Sequence, residues 1–141
     1  MPESPTRIVL DTNVLYAGLY SASGKSYQLL KAIAEGRVRI SLSTPLLFEY
    51  EDVLKRNQAV LSLSDAEVEV VLDNLCAIAD LQAVYFLWRP CLPDANDDMV
   101  LELAVAAQVP RIVSFNAKDF RPASRFGIEV VTPKIMLEEL Q

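Results

Sequence analysis

Apolar residues recur along the chain in two alternating patterns, short runs at strand spacing and longer stretches spaced three and four apart. Arg7–Leu10 (RIVL) is a strand pattern that stops abruptly at Asp11-Thr12-Asn13, and residues 14–20 continue as a helix. Residues 21–25 (SASGK) break the pattern. Tyr27, Leu29, Leu30, Ile33 and Ala34 then recur at helical spacing as far as Gly36, which suits a helix C-terminal cap. Residues 37–43 alternate as a period-2 strand. Thr44-Pro45 follows as N-cap and first helical residue of a helix carrying Leu46, Leu47, Tyr50, Val53 and Leu54.

Ser64 and Glu67 form a capping-box pattern ahead of Val68, Val71, Leu72, Leu75, Ile78 and Ala79, which share one helical face. Residues 82–88 read as a strand, 93–96 as a polar turn, and a helix begins near Asp97 with Val100, Leu101, Leu103, Ala104 and Ala107. A strand at 111–115, a polar loop at 116–123, a strand at 128–131 and a second Thr-Pro helix start at Thr132-Pro133 complete the chain. Five strands alternating with helices specify an α/β fold: a three-layer sandwich with a mostly parallel central sheet and helices on both faces. No repeat or linker divides residues 1–141, which are expected to form a single domain.

Composition narrows the chemistry. The chain lacks histidine, which excludes a Ser-His-Asp triad, His-ligated zinc and an imidazole base. Cys76 and Cys91 lie outside any C-x-x-C and read as reduced thiols of a cytoplasmic protein. Apolar runs such as 83–88 reach only six residues, and the polar start carries no signal-peptide pattern, so no membrane association is expected. Recounted with Gly and without Tyr, the apolar share is about 51%, just above the roughly 45–50% of ordinary domains. A homodimer burying apolar helix surface is therefore expected, with the helices around 27–33 and 53–72 as contributors. A net charge of -6 argues against a generic nucleic-acid coat but not against an enzyme with acids gathered around a metal.

The placement of those acids follows from the sheet, because ligands of open parallel sheets bind at the carboxyl ends of the strands. Asp11 follows the first strand, Glu49 lies about a turn into the helix after the second, Asp97 and Asp98 open the helix after the third, and Asp119 follows the fourth. Each has a plainer reading. Asp11 can be an N-cap, Asp97 and Asp98 can complement a helix dipole, and Asp119 can be an ordinary loop acid. Together they form a cluster whose repulsion a cation would relieve, and hard oxygen donors select Mg²⁺ or Mn²⁺. Such ions activate water for in-line attack on phosphorus without a histidine.

With Ile8-Val9-Leu10-Asp11-Thr12-Asn13-Val14-Leu15, Ser43-Thr44-Pro45-Leu46-Leu47-Phe48-Glu49-Tyr50, Pro93-Asp94-Ala95-Asn96-Asp97-Asp98 and Ile112 to Phe120 in order, the chain resembles the PIN-domain family of metal-dependent ribonucleases. Within it, the sequence is similar to the toxins of bacterial and archaeal toxin-antitoxin pairs. The resemblance implies metal ligation by Asp11 and Asp98, with Glu49 and Asp119 completing the catalytic acids. Asn13 would orient Asp11, Ser114 and Asn116 would position phosphate or metal-bound water, and Asp97 would stand outside the first ring of ligands. Other members often carry Asp at position 116 and Thr at 114, so Asn116 removes one charge. The implied function is hydrolysis of single-stranded RNA by a toxin held inactive by a cognate antitoxin. The alternatives are a catalytically silent PIN-like binding module and a metal-dependent phosphatase, whose D-x-D is absent here. Lys25, Arg89, Lys118, Arg121 and Arg125 are candidate RNA phosphate contacts, while Tyr16, Tyr20, Phe86 and Trp88 read as core or interface aromatics before stacking platforms.

Overall fold

A computed structural model describes residues 5–84 and 95–141. Residues 85–88 of the expected third strand, Arg89, Cys91, and Pro93 and Asp94 of the expected turn lie outside the described residues, Phe86 and Trp88 among them. Five strands, β1 (Arg7–Leu10), β2 (Arg39–Leu42), β3 (Asp80–Leu81), β4 (Arg111–Val113) and β5 (Glu129–Val131), form one sheet in the order β3-β2-β1-β4-β5. All four pairings are parallel. Seven helices among the described residues are α1 (Thr12–Tyr20), α2 (Lys25–Ala34), α3 (Thr44–Arg56), α4 (Gln58–Leu61), α5 (Asp65–Ile78), α6 (Ala95–Ala107) and α7 (Pro133–Glu139).

Strand order has a direct consequence. The chain moves outward from β1 to β2 to β3 and then returns to the other side of β1 with β4. Right-handed crossovers therefore place α1 to α5 on one face and α6 on the other. The switch in direction falls between β1 and β4, where ligands of such sheets bind. The inner strands β1 and β4 are buried along Ile8, Val9, Leu10, Ile112 and Val113, as a sheet covered on both faces requires.

Local signals account for most element starts. Ser64 accepts from the Glu67 backbone at 3.1 Å while Glu67 Oε1 accepts from the Ser64 N–H at 3.0 Å, closing the expected capping box. Those hydrogen bonds to Ser64 hold the Glu67 carboxyl below its ordinary pKa. Thr132 caps α7 through Ile135 N, with Pro133 next. Gly36 leaves α2 at φ 80°, a conformation that glycine adopts without a Cβ penalty. Gly18 has a different reason: a Cβ there would strike the Leu30 side chain and lie 3.2 Å from the Ser26 carbonyl carbon, so it lets α1 and α2 approach closely.

Several expectations are corrected. The cap of α3 is Ser43, whose Oγ accepts from Leu46 N at 3.3 Å, so Thr44 is already helical. The third strand begins two residues earlier than expected, as β3: Asp80 pairs with Arg39 of β2 at 2.7 Å and sits opposite Ser41, and residues 82–84 are not in strand. The Arg39 guanidinium also holds the Asp80 carboxyl below its usual range. Helix α4 has no counterpart among the expected elements. The stretch read as a polar loop is a 3-10 segment, Ala117–Phe126, kinked at Phe120, with Phe120 and Ala123 buried and its basic residues exposed.

Candidate active site at the β1–β4 switch point

The register that pairs Val9 with Ile112 and Leu10 with Val113 brings the next two residues, Asp11 and Ser114, side by side at the carboxyl edge. Both are buried, Ser114 completely and Asp11 to 7% exposure. The Asp11 N–H donates to Val113 O at 2.9 Å, while its carbonyl accepts from Val14 N, so the backbone of Asp11 belongs at once to sheet and helix. Its side chain makes no capping hydrogen bond although it occupies the cap position of α1. Instead Asp11 Oδ2 accepts from Ser114 Oγ at 2.6 Å. Asn116 N donates to the same Ser114 oxygen at 3.0 Å, which leaves the hydroxyl proton directed at the carboxylate.

Beneath this relay, the Tyr50 hydroxyl of α3 donates to Leu10 O. Tyr50 is fully buried, and burial, with the Asp11 charge adding to it, pushes its phenol pKa far above the ordinary value of 10.0. It is therefore a neutral donor that braces the residue before Asp11. Glu49 precedes it on α3 and is half-buried.

The remaining acids arrive from the other face. Asp97 and Asp98 occupy the first turn of α6 and are buried to 9% and 2% exposure, too deep for acids that merely complement a helix dipole at the surface. Helix α6 packs against β1, β4 and α3. Successive helical residues project about 100° apart, so Asp97 and Asp98 point in different directions. Asp119 is half-buried in the 3-10 segment, its N–H on Asn116 O at 2.9 Å. Asn13 Oδ1 is buried without a hydrogen-bond partner, while Asp11 accepts from Ser114. The Asn116 side chain is exposed.

Sequence reasoning passed over Glu102, one helical turn after Asp98 and only 4% exposed. The signal was available, since an i, i+4 pair of acids inside an otherwise apolar stretch lies on one helical stripe. Among the candidate basic contacts, Lys25, Lys118, Arg121 and Arg125 are exposed. Tyr16 and Tyr20 stack on each other with ring centroids 6.0 Å apart, and Tyr20 is exposed rather than in the core.

These donors suit a hard divalent cation in kind: they are carboxylate oxygens beside a buried amide oxygen on Asn13 that has no partner. Among the described residues no group of three or more acids stands close enough to hold an ion. Mg²⁺ does not demand one, since it is often held by one or two carboxylates with water completing its shell. Also among the described residues, no helix is long and apolar enough to cross a membrane.

Comparisons with known proteins agree with this architecture. The family model described as PIN domain matches residues 7–118. No curated protein sequence matches. A chain in the crystal structure of VapBC2 from Rickettsia felis bound to a DNA fragment from their promoter superimposes with a TM-score of 0.63 at 14% identity, covering 90% of this chain and 98% of that one.

Proposed function

The chain belongs to the PIN-domain family, whose members are generally nucleases using divalent metal ions, and on that premise we propose an endoribonuclease acting on single-stranded RNA. The observation that carries the reading is Asp11: a buried carboxylate at the sheet's switch point that caps nothing and is held by a committed Ser114 hydroxyl. Asp11 and Asp98 would hold Mg²⁺ or Mn²⁺, which when bound supplies an activated water and charge neutralisation at the phosphate.

The chain's own residues then have distinct tasks. Ser114 keeps the Asp11 carboxylate in one orientation, and Tyr50 fixes the strand end from which it projects. Glu49 and Asp119, half-buried at the same edge, complete the acidic lining, while Asp97 supports Asp98 from outside. Lys118, Arg121 and Arg125, exposed on the segment after Asn116, contact RNA phosphates next to the scissile one.

In its biological setting the protein acts in the cytoplasm as the growth-inhibiting toxin of a toxin-antitoxin pair. Support comes from the sequence resemblance and from the likeness to a VapBC2 chain. It is a homodimer through the α4–α5 region, where Val60 and Val70 are exposed at 57% and 56%. The test is cleavage of labelled single-stranded RNA by purified protein in Mg²⁺ or Mn²⁺. Cutting is expected to stop in chelator and in Asp11→Asn or Asp98→Asn; equal cutting under any of these conditions refutes the metal-dependent reading.

A further inference from the structure

Helices α2 and α7 border a groove of about 440 Å³ on the face opposite α6. Its cations are Lys25, Lys31, Arg37 and Lys134, against the acids Glu35 and Glu138. Arg37 reaches Glu35 at 4.0 Å, but among the described residues the three lysines form no ion pair. Arg39, Lys55, Arg56 and Arg111 have acidic partners, whereas these three, like Lys118, Arg121 and Arg125, keep a charge that no ion pair among the described residues offsets, in a chain of net charge -6. Lys25 also stands at the first position of α2, where a cation opposes the helix dipole and no acid in that turn offsets it.

The lining identifies the class of occupant. Leu137 is the one apolar residue among those that border the groove, so a peptide would find no pocket for apolar anchors. Lysine ammonium groups and the Gln28 amide, by contrast, match phosphate and ribose oxygens. Lys25, Gln28 and Lys31 form one stripe along α2, and the outer two are about 9 Å apart along its axis at 1.5 Å per residue. Lys134 stands in the first turn of α7 just after β5, so this end of the groove lies toward the same carboxyl edge of the sheet as Asp11.

We infer that the α2–α7 groove is an RNA exosite that grips the sugar-phosphate backbone at a distance from the bond cleaved. This rests on RNA being the substrate. It assigns Lys25, Lys31 and Lys134 to electrostatic holding of longer strands and leaves sequence unread, because phosphate contacts carry no base information.

The test uses 5′-labelled oligouridines of 6 and 20 nucleotides, followed by fluorescence anisotropy in Mg²⁺ with the full chain carrying Asp11→Asn so that no strand is cut. Adding Lys25→Ala, Lys31→Ala and Lys134→Ala together is expected to weaken 20-mer binding about tenfold or more near 0.1 M salt. The slope of log affinity against log salt should shrink by about 2, at roughly 0.7 for each phosphate that a lysine no longer neutralises. The hexamer, too short to span both sites, should weaken far less. The triple Lys→Arg protein should retain the slope, which separates missing charge from a damaged fold. An unchanged slope in the Ala triple overturns the inference, and so does lysine-dependent binding of poly-glutamate in place of RNA. If the unaltered protein does not cut RNA yet the groove binds it with this lysine-dependent slope, the nuclease reading falls and the exosite with it, leaving an RNA-binding groove. If the unaltered protein cuts RNA and the slope ignores the lysines, the exosite alone falls.

Discussion

Ser114 Oγ lies 2.6 Å from Asp11 Oδ2 although 103 positions separate them in the chain, and both are buried at the junction of β1 and β4. A buried hydrogen bond to a charged group contributes about 1.5–3 kcal/mol. Ser114→Ala is therefore expected to lower the urea-unfolding free energy by about that amount. Its RNA cleavage rate should fall by about tenfold, through loss of Asp11 orientation, far less than in Asp11→Asn. Ser114→Thr, which keeps the hydroxyl, should recover most of both. Equal stability of Ser114→Ala and the unaltered protein would show that the hydroxyl holds nothing.

Tyr50 predicts an alkaline limit. Its pKa is raised in the folded chain above the unfolded value of 10.0, so the folded state keeps a proton that the unfolded state releases. The stabilisation is complete below about pH 10 and declines as pH rises beyond it, by about 1.4 kcal/mol per pH unit while the folded phenol stays protonated. Tyr50→Phe should lose the Leu10 hydrogen bond, about 1 kcal/mol at neutral pH, and should show a shallower decline between pH 10 and 11.5. Parallel stability curves for the two proteins across that range would contradict the assignment.

Metal binding should appear in stability without any substrate. A cation bound only by the folded chain adds about 2.7 kcal/mol at 100 times its dissociation constant, and at roughly 2–4 °C per kcal/mol the melting temperature should rise by roughly 5–11 °C. Asp98→Asn should lose most of that rise. Asp73→Asn, on the exposed side of α5, should keep it. A full rise in Asp98→Asn removes Asp98 from the metal site.

Association is checked by light scattering at micromolar concentration, where a dimer mass is expected. Val60→Asp combined with Val70→Asp should give a monomer with a melting temperature changed by only a few degrees, because both side chains are already exposed within one chain. A monomer mass for the unaltered protein ends the dimer reading.

Much of this architecture is legible along the chain because the forces behind it act over three or four residues. The capping box at Ser64 and Glu67, the Thr132-Pro133 start of α7 and the glycine exit of α2 are all local hydrogen-bond or backbone solutions. Strand-helix alternation follows from apolar spacing, and with it the carboxyl edge on which Asp11, Glu49, Asp98 and Asp119 are expected. Element limits are less legible, because neighbours outside the segment set them. Arg39 captures Asp80 across 41 residues and draws β3 forward, and burial of Phe120 and Ala123 winds a charged, proline-bearing stretch into a 3-10 segment.

The site divides along the same line. Its acids can be found from their positions after strands, but their partners cannot. That Asp11 meets Ser114 follows from β4 lying beside β1, an order that no local pattern encodes. The depth of Glu102 depends likewise on α6 crossing the middle of the sheet. Composition and periodicity determined which elements form and which chemistry they can carry. Only the packing of distant strands and helices decided which side chains meet, because an approach across 103 residues is set by sheet order and burial rather than by spacing along the chain.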